Sequence, residues 1–211
     1  VSDKVYDKRD VKPEPMRRVT LEYLASWQGR EKDVRRKVES LMREELGTDE
    51  IVGRNLVTVS VIVRYVMETI KRDVELLRSY GTDFFEIVGL ERPLDAKLYG
   101  LKFFGVADRI DRIGDSSYVR MVDYKSGKDD PSVLNTQAAK AEEVAMTIFG
   151  GEREKRKKVK AGLQFFIYDK MLQEKGIADL DDICNSMYAT SGLFAGTPAV
   201  CPLNPAFAKE M

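Results

Sequence analysis

The sequence predicts an α/β domain with a helical N-terminal part, on three observations. From 19 to 81, apolar residues recur at steps of three and four, the period of helices packed on one face. From 82 to 126 they gather into runs of aromatic and β-branched residues punctuated by glycine, which is strand behaviour. From about 132 to 176 helical spacing returns. With 211 residues, 43% of them hydrophobic, the chain can bury a sizeable core as one domain.

In chain order, residues 1–18 are crowded with charge and carry Pro13 and Pro15, so they read as an arm or linker. A helical pattern starts near Val19. Val34, Val38, Leu41, Met42 and Leu46 keep one stripe until Gly47 offers a stop, with Trp27 anchoring the first half. A second helix starts at Thr48 or Asn55, carries Val59, Val63, Val66, Ile70, Val74 and Leu77 on one face, and ends at Gly81. Core packing is the expected role of both stripes. Residues 84–94, 99–113 and 118–126 read as a three-stranded meander. An Asp129-Asp130-Pro131 turn then leads to a helix over about 132–149, which Gly150 and Gly151 break. Residues 152–160, EREKRKKVK, hold six basic side chains against two acidic ones and lead into a helix that contains Gln164 and ends at Gly176. A last run within 184–194, SMYATSGLF, supplies a further strand.

Chemistry concentrates in residues 105–127, GVADRIDRIGDSSYVRMVDYKSG. Gly114, Asp115 and Ser116 carry turn chemistry, so the stretch forms an antiparallel hairpin. With a loop of two or four residues, Asp108 opposes Asp123, Asp111 opposes Arg120 on the other face, and Lys125 lies on the Asp108 side. A loop of three or five would bring Asp111 to the Asp123 face instead. Two carboxylates about 5 Å apart repel by roughly 3 kcal/mol at an effective dielectric of about 20. A divalent cation between them reverses the sign, and magnesium suits oxygen ligands with several retained waters. Alternating charges on a hairpin are more often a solvated face of weak ion pairs, which is the expectation for Asp111 with Arg120. Asp123 and Lys125, flanked by Val122 and Tyr124, are harder to explain that way, because a charged pair beside a buried strand is costly.

GVAD at 105–108, VDYKSG at 122–127 and LQFFIYDKML at 163–172 together resemble the RecB-like nuclease domain of the PD-(D/E)xK superfamily. The phrase VADRIDRI followed by VDYKSG is closest to the C-terminal nuclease domain of AddB-like helicase-nuclease subunits. The resemblance spans roughly residues 58–194. It implies a restriction-endonuclease-like mixed central sheet flanked by helices, with 19–211 one nuclease domain made of a helical part, 19–81, and a catalytic core, 82–211. It implies a metal-dependent DNA exonuclease of double-strand-break repair, with Asp108 and Asp123 holding Mg2+ or Mn2+. Lys125, Gln164 and Tyr168 then complete the catalytic set, and a helicase portion of the same parent chain or a partner subunit feeds DNA to it. Beside that helix, Arg153, Lys155, Arg156, Lys157, Lys158 and Lys160 are candidate phosphate contacts. RecB-like domains also carry an upstream metal-ligand His, and this chain contains no His. Because it begins at Val1, it reads as a domain excised from a longer protein just after that segment. Glu22, Glu68 and Glu91 are the in-chain substitutes. The alternative is a catalytically incomplete DNA-binding or helicase-docking module of the same fold.

Lys plus Arg and Asp plus Glu both number 35, so any affinity for polyanions must come from local patches. Cys184 and Cys201 form neither a metal-binding spacing nor a disulfide framework, which suits a reducing compartment. The longest apolar run, 56–67, is interrupted by Arg64 and too short for a bilayer, and no signal peptide opens the chain, so a soluble cytoplasmic protein is expected. No P-loop or dinucleotide fingerprint is present, so the chain is not expected to bind ATP.

Overall fold

Among the described residues five strands, neighbouring one another in chain order, form a central sheet. The computed structural model describes residues 17–125, 138–150 and 153–189. β1 (Arg17–Thr20) comes first and pairs antiparallel with β2 (Phe84–Leu98). The sequence reading does not anticipate β1, because Arg17 and Arg18 fall within the expected arm and Val19 within the expected helix. Thr20 ends the strand and caps α1 (Leu21–Trp27), its hydroxyl accepting from the Tyr23 amide at 3.1 Å.

The single helix expected up to Gly47 is two. α1 stops at Trp27, Gly29 takes a φ of +85°, and α2 (Glu31–Leu46) starts afresh after it. Gly47, at φ +61°, closes α2 with left-handed geometry as expected. α3 (Arg54–Ser79) is long, and its Val59, Val63, Val74 and Leu77 are fully buried. Val34 of α2 packs on Val59 and Val63, while Leu24 of α1 joins Val74, Leu77 and Phe85 of β2. The N-terminal helices thus cover one face of the sheet.

β2 turns tightly into β3 (Leu101–Ile113), and β3 pairs antiparallel with β4 (Val119–Lys125). α4 (Ala138–Gly150) and α5 (Arg153–Glu174) then cross over the other face, and β5 (Ile183–Ala189) returns parallel to β4. Ile110, Met121, Phe165, Met171, Leu172 and Met187 are at the heart of the core between α5 and the sheet. Covered on both faces, β4 and β5 are buried along almost their whole length. Among the described residues no helix is long and apolar enough to cross a membrane.

Candidate active site

The β3–β4 loop determines which carboxylates meet. Arg109 pairs with Val122, Ile110 with Met121, Asp111 with Arg120 and Arg112 with Val119, and the Ile113 amide reaches the Tyr118 carbonyl. That leaves residues 114–117 as a four-residue loop, and one further step of the same register sets Asp108 opposite Asp123. Asp111 therefore stays off the Asp123 face.

Asp108 Oδ2 accepts a hydrogen bond from the Tyr124 amide at 2.8 Å, which ties the first carboxylate to the strand carrying the second. Asp123 Oδ1 accepts from Gln164 Nε2 at 3.0 Å, Lys125 Nζ donates to Gln164 Oε1 at 2.6 Å, and Lys125 Nζ stands 2.8 Å from Asp123 Oδ2. Carboxylate, ammonium and amide close a ring in which each orients the other two. Asp123 and Lys125 are i and i+2 on one strand face, and α5 brings Gln164 across to them.

Asp123 is only 4% exposed. Burial raises its pKa and the neighbouring Asp108 charge adds to that, outweighing the opposite pull of Lys125 and Gln164. Lys125 Nζ supplies the countercharge to Oδ2 at 2.8 Å, and no second donor reaches that oxygen among the described residues. Two hard-oxygen carboxylates on one face of the hairpin, one of them destabilised by burial, fit a divalent cation that keeps most of its waters. Among the described residues no group of three or more His, Cys, Asp or Glu side chains gathers to complete an all-protein cage, so none of Glu22, Glu68 and Glu91 joins the pair that way.

Tyr168, one turn beyond Gln164, is buried, and its hydroxyl donates to the Val106 carbonyl at 2.9 Å. A Cβ on Gly105 would overlap Tyr168 Cε1, so the glycine of GVAD is where the tyrosine ring lies against the strand. Tyr168 thus seats α5 on β3. In the basic run, Arg153, Lys155 and Lys160 are exposed on the first turns of α5, and Lys160 is one turn from Gln164. The side chains of Arg156, Lys157 and Lys158 lie outside the described residues.

The opposite face of the hairpin corrects the expectation of a solvated ion pair. Asp111 and Arg120 are both fully buried and bonded twice, Nε to Oδ1 at 2.9 Å and Nη2 to Oδ2 at 2.8 Å. Arg109 joins them through Asp111 at 2.6 Å and reaches Asp73 of α3 at 2.8 Å; the Tyr188 hydroxyl of β5 donates to Asp73 at 2.7 Å. Burial pushes Asp73 up, but Arg109, Arg120 and the Tyr188 hydroxyl outweigh it and hold the carboxyl below its ordinary value. The network touches the site at Tyr124: its amide holds Asp108, its hydroxyl accepts from Arg109 at 3.3 Å, and its ring packs 5.4 Å from that of Tyr188. Sequence reasoning missed Asp73 and Tyr188. The available signal was the spacing of Arg109, Asp111 and Arg120 among Ile110, Ile113, Val119 and Met121, in strands apolar enough to be covered on both sides.

A family model described as the PD-(D/E)XK nuclease superfamily matches residues 16–180. The chain belongs to this superfamily. Its mixed sheet with flanking helices is the restriction-endonuclease-like α/β arrangement, and the superfamily is one of nucleases that generally use divalent metals. The match contains the hairpin, Asp108, Asp123, Lys125, and the α5 residues Gln164 and Tyr168. No curated protein and no solved structure matches the chain.

Proposed function

We propose that the chain is a Mg2+- or Mn2+-dependent DNA exonuclease, built around Asp108, Asp123, Lys125, Gln164 and Tyr168. The observation that carries this is the closed ring of Asp123, Lys125 and Gln164 beside Asp108. A cation held by the two carboxylates, with the Val122 or Tyr124 carbonyl as a further ligand, would polarise the scissile phosphate and make a water more acidic. Lys125 orients the attacking water or offsets the charge that develops on phosphate. Gln164 holds both Lys125 and Asp123 in register, and Tyr168 fixes the helix that carries Gln164. Arg153, Lys155 and Lys160, exposed on the same helix, supply sequence-independent attraction for the strand. The motif order and the VADRIDRI phrase favour the nuclease domain of an AddB-like helicase-nuclease in double-strand-break repair, with the helicase in the parent chain or a partner subunit.

The absence of His and of a third gathered carboxylate among the described residues favours a second reading, a DNA-binding module of the same fold without catalysis. Degradation of linear single-stranded DNA with Mg2+ or Mn2+ separates the two. On the nuclease reading, Lys125→Ala loses about a hundred- to a thousandfold in rate and Asp123→Ala at least as much, with the circular dichroism of the fold retained. Undiminished cleavage by Asp123→Ala would sink the assignment. Salt-sensitive binding without any cleavage by the parent protein would favour the second reading.

A further inference from the structure

The turn between β2 and β3 carries two features that folding alone does not ask for. Leu98 pairs with Leu101, which leaves Tyr99 and Gly100 as a two-residue turn, and both have positive φ, +51° and +82°. Turns of this hand take Asn or Asp with Gly; a tyrosine there is strained and gains no packing, being 81% exposed. One step back, Lys97 and Lys102 face each other directly across the strands. Like charges in opposed positions destabilise a hairpin, and neither lysine is ion-paired among the described residues. Leu101 and Phe104 add apolar surface beside them, 65% and 60% exposed.

We infer that this hairpin tip binds single-stranded nucleic acid, Tyr99 and Phe104 stacking on bases while Lys97 and Lys102 contact phosphates. Exposed aromatic rings interleaved with unpaired cations are the recurring composition of such surfaces. A protein partner would have to bury two adjacent uncompensated ammonium groups, which protein interfaces avoid at their centres. The nuclease reading supplies the ligand's identity, and β3 supplies continuity, because the same strand carries Leu101 and Phe104 near one end and Asp108 further along. Tyr99 and Asp108 are nine residues apart, about 30 Å of extended chain. At a stacked rise of about 3.4 Å that is roughly nine nucleotides, so the tip engages the strand well away from the bond being cut.

Fluorescence polarisation with a labelled 20-nucleotide oligo(dT) in EDTA tests this without cleavage, and oligo(U) of equal length tells whether the sugar matters. Tyr99→Asn removes the ring while giving the turn its preferred residue, so the thermal midpoint holds or rises. Affinity for the 20-mer falls about five- to a hundredfold. Replacing Lys97 and Lys102 with Gln lowers the slope of log affinity against log salt by about 1.4. Parent-like affinity for the 20-mer in Tyr99→Asn, an unchanged salt slope in the lysine variant, or no binding of either 20-mer by the parent protein overturns the inference. Tip-dependent binding in a protein that shows no Asp123-dependent cleavage instead removes the nuclease reading and leaves the tip standing as a strand-binding element.

Discussion

Asp169, beside Tyr168 on α5, is completely buried, with Asn185 of β5 donating to its Oδ2 at 2.7 Å. Burial pushes its pKa up to about 8 against weaker pulls from that hydrogen bond and from Lys170. Asp169 Oδ1 has no hydrogen-bond partner among the described residues, so nothing else there offsets the cost of a buried charge. The folded carboxyl keeps its proton to about pH 8 while an unfolded one releases it near 4, so this group's stabilisation is complete below about pH 4 and is lost as pH rises towards 8. Asp169→Asn is neutral at every pH and keeps an oxygen that can accept from Asn185. Its thermal midpoint should therefore match the parent's near pH 4 and exceed it by several degrees at pH 8.5; equal midpoints at both would mean that Asp169 is charged in the folded protein. None of this was legible in the sequence, where Asp169 looks like any acid after a tyrosine, because its environment comes from β5, sixteen residues further on.

Among elements, the contact between β3 and α5 is decided by a single missing side chain. Gly105→Ala sets a methyl against the Tyr168 ring, which must move and loosen its hydroxyl from the Val106 carbonyl. The displacement carries to Gln164 one turn away. Urea unfolding should show a loss of about 1–3 kcal/mol, with cleavage falling further than that loss explains. Tyr168→Phe, which only deletes the hydroxyl, should cost about 1–2 kcal/mol and spare more activity. A Gly105→Ala protein of parent stability and rate would refute this account of the glycine. At this scale the sequence was informative wherever the geometry is local. Loop parity between Gly114 and Ser117 set the Asp108–Asp123 register, and glycines 47, 81 and 176 ended helices as read, each with positive φ. It was silent where partners are remote: β1 has no strand pattern until β2 is there to pair with it, and the break at Gly29 is hidden by apolar spacing that continues through it.

At the scale of the whole molecule, the buried network of Asp73, Arg109, Asp111, Arg120 and Tyr188 joins α3 to β3, β4 and β5. Two carboxylates balance two guanidinium groups, so removing one leaves a buried charge unmatched. Asp111→Asn should cost about 3–5 kcal/mol in urea unfolding, whereas removing Glu75 from its partly exposed pair with Arg72 should cost less than about 1 kcal/mol. Similar costs for the two would mean that the interior is wetter than its burial indicates. One strand pair could not announce this network, because it exists only once helices cover both faces of the sheet. The chain's single tryptophan, Trp27, lies in α1 with Arg30 over its ring at 4.5 Å and Tyr23 edge-on at 6.2 Å. Its emission therefore reports on the helical cover and says nothing of Asp123 or Lys125. A protein in which the ring of Asp123, Lys125 and Gln164 had come apart would still fluoresce as native, so a spectroscopist watching that one indole would be looking at the wrong side of the sheet.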